Sequence, residues 1–312
     1  MCPRSEKTFR FLESLLGLLS QLLSTMPRTE ALSLGHSPDP DDAFMFFALA
    51  ENKIDMRGWS FEHVLQDIQT LNERATRGEL AISAISIHAY AYVLDKYALL
   101  PCGASMGDGY GPMLVVRKGV AFPSEPAALL EWLRGQTIAV PGLMTSAYLS
   151  LRLYMGEART VVIPFDEIFA AVTAGRADVG LIIHEGQLTY AMEGFQKVLD
   201  LGEWWKAETG LPLPLGGNVI RKDFAPSERS EINGILRESI EYGLTNRAAG
   251  VAHALPLGRG MGEALADQFI GMYVNDYTLD YGDSGRAAIR EFLGRAHAAG
   301  LIPAPVALEF VE

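Results

Sequence analysis

Apolar residues recur along this chain in two rhythms. Short runs dominated by Val, Ile and Leu fall at 31–35 (ALSLG), 80–87 (LAISAISI), 113–116 (MLVV), 137–140 (TIAV), 161–164 (VVIP) and 179–183 (VGLII). Each is bounded by Gly, Pro or polar residues, the signature of a strand buried on both faces. Residues 59–64 (WSFEHV) alternate as a half-exposed strand does, and Asn218 to Arg221 read as a late strand. Helical spacing fills the intervals: Ala43–Leu49 behind Asp41 and Asp42, Asp67–Arg77 stopped by Gly78, and His88–Leu94. Further helices follow at Ala127–Leu133 behind Pro126, at Ala147–Met155, and at Phe165–Thr173 closed by Gly175. From Glu228 to Ala299 the pattern is helical alone. Strands alternating with helices predict an α/β fold.

Two βα sets, separated by the strand at Met113–Val116 and by a Pro-containing crossover at Trp204–Gly217, predict two lobes around a central cleft. The expected first lobe is discontinuous, 29–115 with 217–312, and the second is 116–216. The crossings are expected near Val115–Arg117 and Pro214–Asn218, acting as hinges. Residues 1–28 are expected to lie outside the fold. Phe9–Leu23 is apolar with a basic start, but Glu13 interrupts it and no small-x-small cleavage site follows. The run is also too short to cross a bilayer, and Met26 offers an alternative start. A cytoplasmic location is the expectation.

Composition narrows the partners. The 312 residues are 49% hydrophobic and 21% charged, a globular balance, with a net charge of −12. No long basic run is present, which argues against nucleic acid and membrane surfaces and leaves a small-molecule partner. Cys2 and Cys102 are the only cysteines, so no disulfide framework or Cys-based zinc site is available. Six histidines occur without an HExxH pair, and no metal is expected. Gly107-x-Gly109-x-Gly111 superficially resembles a phosphate loop. It is followed by Pro112 and a strand, where a dinucleotide fingerprint needs a helix. The oligomeric state carries no signal.

Three stretches bear candidate chemistry. His184 and Glu185 follow the run Val179–Ile183, at a strand's carboxyl end, where open α/β sheets bind ligands. A histidine there can exchange a proton near neutral pH, or simply cap the strand. Glu185 is not expected to orient it, because successive residues across a strand point opposite ways. Thr145 and Ser146 precede the helix Ala147–Met155. They serve equally as N-caps or as part of an anion site at the helix start. The loop Ser37–Asp42 and the strand end at Ser86 read either as ligand contacts or as local capping.

Taken together, Ser37-Pro38-Asp39-Pro40-Asp41-Asp42, Gly109-x-Gly111-Pro112, Val140-Pro141-Gly142 with Thr145-Ser146-Ala147-Tyr148, LIIHE at 181–185 and TGLPLPLG at 209–216 occur in one order. In these motifs the chain from about Leu32 to Val311 resembles the 1,4-dihydroxy-6-naphthoate synthases of the futalosine route to menaquinone. The resemblance implies the two-lobed fold of type II periplasmic binding proteins. It also implies a lyase acting on cyclic dehypoxanthine futalosine without a metal or organic cofactor. By the same resemblance His184 matches the general base, Thr145 and Ser146 a substrate-contacting pair, and Ala84, Ile85 and Ser86 a second contact. Members often carry a basic residue where this chain has Ala84, so a charge contact to substrate is absent or supplied elsewhere. Two other functions fit the same fold. One is the solute-binding protein of an ABC importer, and the other is chorismate dehydratase of the same pathway.

Overall fold

The computed structural model describes residues 30–312; the expectation for residues 1–28 lies outside the described residues. Two sheets form the two lobes. The first is built from β1 (Leu32–His36), β2 (Phe61–Leu65), β3 (Ile82–Ser86), β4 (Tyr97–Leu99), β5 (Ser105–Gly107) and β11 (Leu213–Arg221). Its order is β2-β1-β3-β11-β4, with β5 also pairing β11. The second has the order β10-β6-β9-β7-β8, from β6 (Met113–Arg117), β7 (Thr137–Val140), β8 (Arg159–Val162), β9 (Val179–Ile182) and β10 (Phe195–Asp200).

In each sheet the central strands are parallel and one returning strand is antiparallel. β1 runs parallel to β2 and β3, while β11 opposes β3, setting Gly217 against Ile85 and Asn218 against Ala84. β9 runs parallel to β7 and antiparallel to β6. Every residue of β3 and β9 is buried, which is why those runs read as continuous apolar sequence. β8 lies at a sheet edge, and none of its residues is fully buried. Helices cover the faces, and five α-helices between Pro226 and Ala298 close the first lobe. The C-terminus returns to β4, where Val311 N–H donates to the Leu99 carbonyl at 2.8 Å. Among the described residues no helix is long and apolar enough to cross a membrane.

The crossings lie elsewhere than Val115–Arg117 and Pro214–Asn218. β6 pairs with β10 and β9 from Met113 onward, wholly in the second sheet, and β11 pairs with β5 from Leu213, wholly in the first. The chain therefore passes over in 108–112 and again in 201–212. The two crossings touch. Leu201 N–H donates to the Pro112 carbonyl at 2.9 Å, and a Cβ added to Gly202 would sit 1.9 Å from the Tyr110 carbonyl oxygen. A side chain there would force the crossings apart, so Gly202 is needed for backbone contact. Trp205 packs fully buried beside them, its indole N–H donating to the Pro212 carbonyl at 3.0 Å. The expected helix His88–Leu94 shortens to the single turn Ile87–Tyr90.

Candidate active site

A cavity of about 130 Å³ opens between the lobes. The first lobe lines it with the Ser37–Asp42 loop, the end of β3 at Ala84, Ile85 and Ser86, and Gly216–Asn218 of β11. The second lobe contributes Thr145, Ser146 and Ala147 from one turn, and Ile183 and Gln187 from another. No Lys or Arg is among these lining residues, so the contact missing at Ala84 is not replaced by a cationic side chain of the cavity wall.

The turn after β7 is held by its own hydroxyls. Thr145 is the N-cap of the helix Ser146–Met155; its Oγ1 accepts the Tyr148 N–H at 3.1 Å and donates to the Gly142 carbonyl at 2.9 Å. Ser146 Oγ donates to the Leu215 carbonyl at 2.5 Å and accepts the His88 N–H at 3.2 Å. Both acts tie the second lobe to the first. What the turn offers a ligand is the first-turn N–H groups of Ser146 and Ala147, which a helix start leaves without intrahelical acceptors. Ser86 is likewise engaged. Its N–H donates to Asn72 Oδ1 at 2.8 Å, its Oγ accepts from Asn72 Nδ2 at 3.0 Å, and the same amide reaches the Met144 carbonyl across the cleft.

The turn after β9 is different. The strand ends at Ile182, one residue before the apolar run does, and Gly186–Thr189 forms a single helical turn. His184 is 7% exposed, with its ring against Phe165 at 5.6 Å and Phe169 at 6.0 Å. It is not itself among the cavity-lining residues, although Ile183 and Gln187 on either side are. Its Nδ1 accepts the Gly186 N–H at 2.9 Å, and its buried Nε2 has no hydrogen-bond partner among the described residues. A Cβ at position 186 would lie 2.7 Å from His184 Cε1, so glycine is what lets that N–H approach the ring.

Glu185 corrects the expectation that it points away. Its Oε2 lies 3.5 Å from His184 Nδ1, because the chain has left the strand and the two-residue alternation no longer applies. Burial works to raise the Glu185 carboxyl, but the His184 ring and the Arg259 guanidinium outweigh burial and hold it below the usual carboxylate range. Arg259 Nη1 contacts both Glu185 oxygens, at 2.9 and 3.1 Å. Two groups thus compete at Nδ1. The Gly186 N–H favours an unprotonated nitrogen there, with the ring proton on Nε2; the Glu185 carboxylate favours Nδ1–H and a free lone pair on Nε2.

The opposite wall is acidic. Burial, and then the Asp42 and Asp39 carboxylates, push Asp41 well above the usual range. Asp42 is pushed up to about 7 by burial, against the Ser37 N–H that it accepts. Sequence reasoning left this loop open between ligand contacts and local capping. It missed Asn72, Arg259 and the cavity-lining pair Gln187 and Tyr273, whose hydroxyl donates to Gln187 Oε1; each acts through a partner distant in the chain.

The sequence profile of the family described as Menaquinone biosynthesis matches residues 32–298, which contain both lobes' cavity walls. The chain belongs to this menaquinone-biosynthesis family. A 1,4-dihydroxy-6-naphthoate synthase of Streptomyces coelicolor is 39% identical over 90% of this chain and 99% of its own. The enzyme of the same name from Thermus thermophilus is 38% identical over 88% and 98%. Among solved structures, a protein of Archaeoglobus fulgidus superposes with a TM-score of 0.82 at 42% identity, covering 88% of this chain and all of that one. The periplasmic aliphatic sulphonate binding protein of Escherichia coli matches at a TM-score of 0.63 and 14% identity, covering 89% of this chain and 90% of that one. That likeness concerns the fold alone, the two-lobed periplasmic-binding-protein architecture. This member of the menaquinone-biosynthesis family keeps the cleft of that architecture.

Proposed function

We propose that the chain is a 1,4-dihydroxy-6-naphthoate synthase, a carbon–carbon lyase that converts cyclic dehypoxanthine futalosine in the cytoplasm. The substrate is a fused ring carrying an aromatic carboxylate and a spiro-linked sugar remnant. Removing a proton from a hydroxyl of the remnant starts a retro-aldol cleavage. A carbon–carbon bond between ring and remnant breaks, and aromatisation of the ring drives the cleavage forward. His184 is the base in this reading, and the observation that carries it is a buried ring nitrogen, Nε2, with no hydrogen-bond partner among the described residues, on the turn between two cavity-lining residues. When Nδ1 carries the ring proton and donates toward the Glu185 carboxylate, Nε2 presents a lone pair. General base catalysis of this kind is worth about 100- to 10,000-fold. The N–H groups at the start of the helix Ser146–Met155 serve the carboxylate or a polar group of the substrate. Thr145, Ser146, Ala84, Ile85 and Ser86 shape the walls.

Incubation of the purified protein with cyclic dehypoxanthine futalosine, followed by mass spectrometry, tests the reading. Release of 1,4-dihydroxy-6-naphthoate is the expected outcome. Recovery of unchanged ligand would favour a solute-binding role, and turnover of chorismate instead would favour the dehydratase.

A further inference from the structure

Arg259 lies far from the sequence motifs, in the turn Gly258-Arg259-Gly260 between two helices of the first lobe. Its side chain crosses the cleft. Nη1 meets Glu185 on the second lobe and Asp39 Oδ1 of the Ser37–Asp42 loop at 2.8 Å. Nη2 reaches the Pro38 carbonyl at 3.4 Å, and the guanidinium lies 4.8 Å from the centroid of the Phe165 ring that flanks His184. Arg259 itself has φ +46, a left-handed conformation that a residue with a Cβ adopts at a cost. The backbone is held there while the side chain joins both lobes at the residue next to His184.

We propose that Arg259 is a positioning residue for His184, acting through Glu185; the proposal rests on the reading of His184 as the base. By pairing with the carboxylate, Arg259 sets how strongly Glu185 pulls on the ring, and it does so only while Asp39 and Glu185 are close enough to share it. Cleft closure and readiness of the base are thereby linked. The charged groups facing the ring come from three elements. These are Glu185 on its own turn, Arg259 on the 258–260 turn, and Asp39, bound to Arg259, on the 37–42 loop. Asp166 and Glu167, on the segment that supplies Phe165, are exposed, and Glu167 pairs with Arg176.

The signs of two substitutions are opposite. Removing the carboxylate in Glu185→Gln leaves the cation and disfavours imidazolium, so the acidic limb of the kcat/KM–pH profile moves down by about one unit. Removing the cation in Arg259→Gly leaves the anion unpaired, so the limb moves up by about one unit. Glycine suits φ +46, which keeps the backbone of that variant at ease. The double variant returns near the parent position, and Arg259→Lys stays near it. The ring 15N shifts of His184, assigned by their loss in His184→Asn, read the same titrations without turnover. Limbs and ring titrations that stay fixed, or that move the same way in both single variants, would overturn the positioning role while leaving the base intact. Full turnover by His184→Asn would overturn the base itself.

Discussion

The turn after β7 and the turn after β9 leave neighbouring strands of one sheet and reach the same cleft, yet their polar atoms are committed differently. At Thr145 and Ser146 both hydroxyls donate to carbonyls and accept N–H groups, and Ser146 fastens the lobes together. At His184 one ring nitrogen is contested and the other is buried without a partner among the described residues. A buried polar atom left unpaired costs about 1 to 3 kcal/mol, so the second turn carries a cost that the first avoids. The difference separates a turn that shapes and holds from a turn kept ready for a proton.

The largest effect expected from breaking this contrast is at Gly186. In Gly186→Ala the new methyl meets His184 and Phe169, displacing the ring and losing about 1 to 3 kcal/mol of stability. Turnover should fall far more than ligand binding, as read by steady-state kinetics beside calorimetric titration. Next comes Ser146→Ala, which strands the Leu215 carbonyl and the His88 N–H. It should cost about 1 to 2 kcal/mol in denaturant unfolding and raise KM more than it lowers kcat. A fall confined to kcat would mean that the first turn does chemistry after all.

The smallest effect concerns the support behind the first turn. His88, whose Nδ1 lies 3.3 Å from the Thr145 carbonyl, is lowered to about 4 by burial, with the Thr145 hydrogen bond opposing; His36 is lowered to about 4 by burial and by His63. A depressed histidine is neutral in the folded state, while the unfolded chain protonates near pH 6.5. The contribution of these two histidines is therefore full above about pH 6.5 and lost as pH falls from there toward about 4, opposed by Asp42, whose raised carboxyl favours the fold as it protonates. Melting curves of the parent and of His88→Asn compared across that window should differ by the His88 share of this loss, with His36 keeping its own, and the substitution should leave the pH profile of turnover in place.

Much of the architecture was readable because burial leaves a mark on sequence. β3 and β9 are buried along their length, and Thr145 sits where a cap should. The rest depended on distance or on a single residue. An apolar run at 113–116 announces a strand but not its sheet, so the crossings were placed several residues late. Ile183 continues the apolar run but not the strand, and that one residue turns Glu185 toward the ring instead of away. Arg259 meets partners 74 and 221 residues away, and no local pattern announces such a contact.

The central claim is that the turn after β9 supplies the base, and His184→Asn tests it most directly. Its binding of cyclic dehypoxanthine futalosine and its rate of 1,4-dihydroxy-6-naphthoate release should be measured on the same preparation. The account predicts binding within a few-fold of the parent protein and a turnover lower by about 100- to 10,000-fold. Turnover within a few-fold of the parent would contradict it.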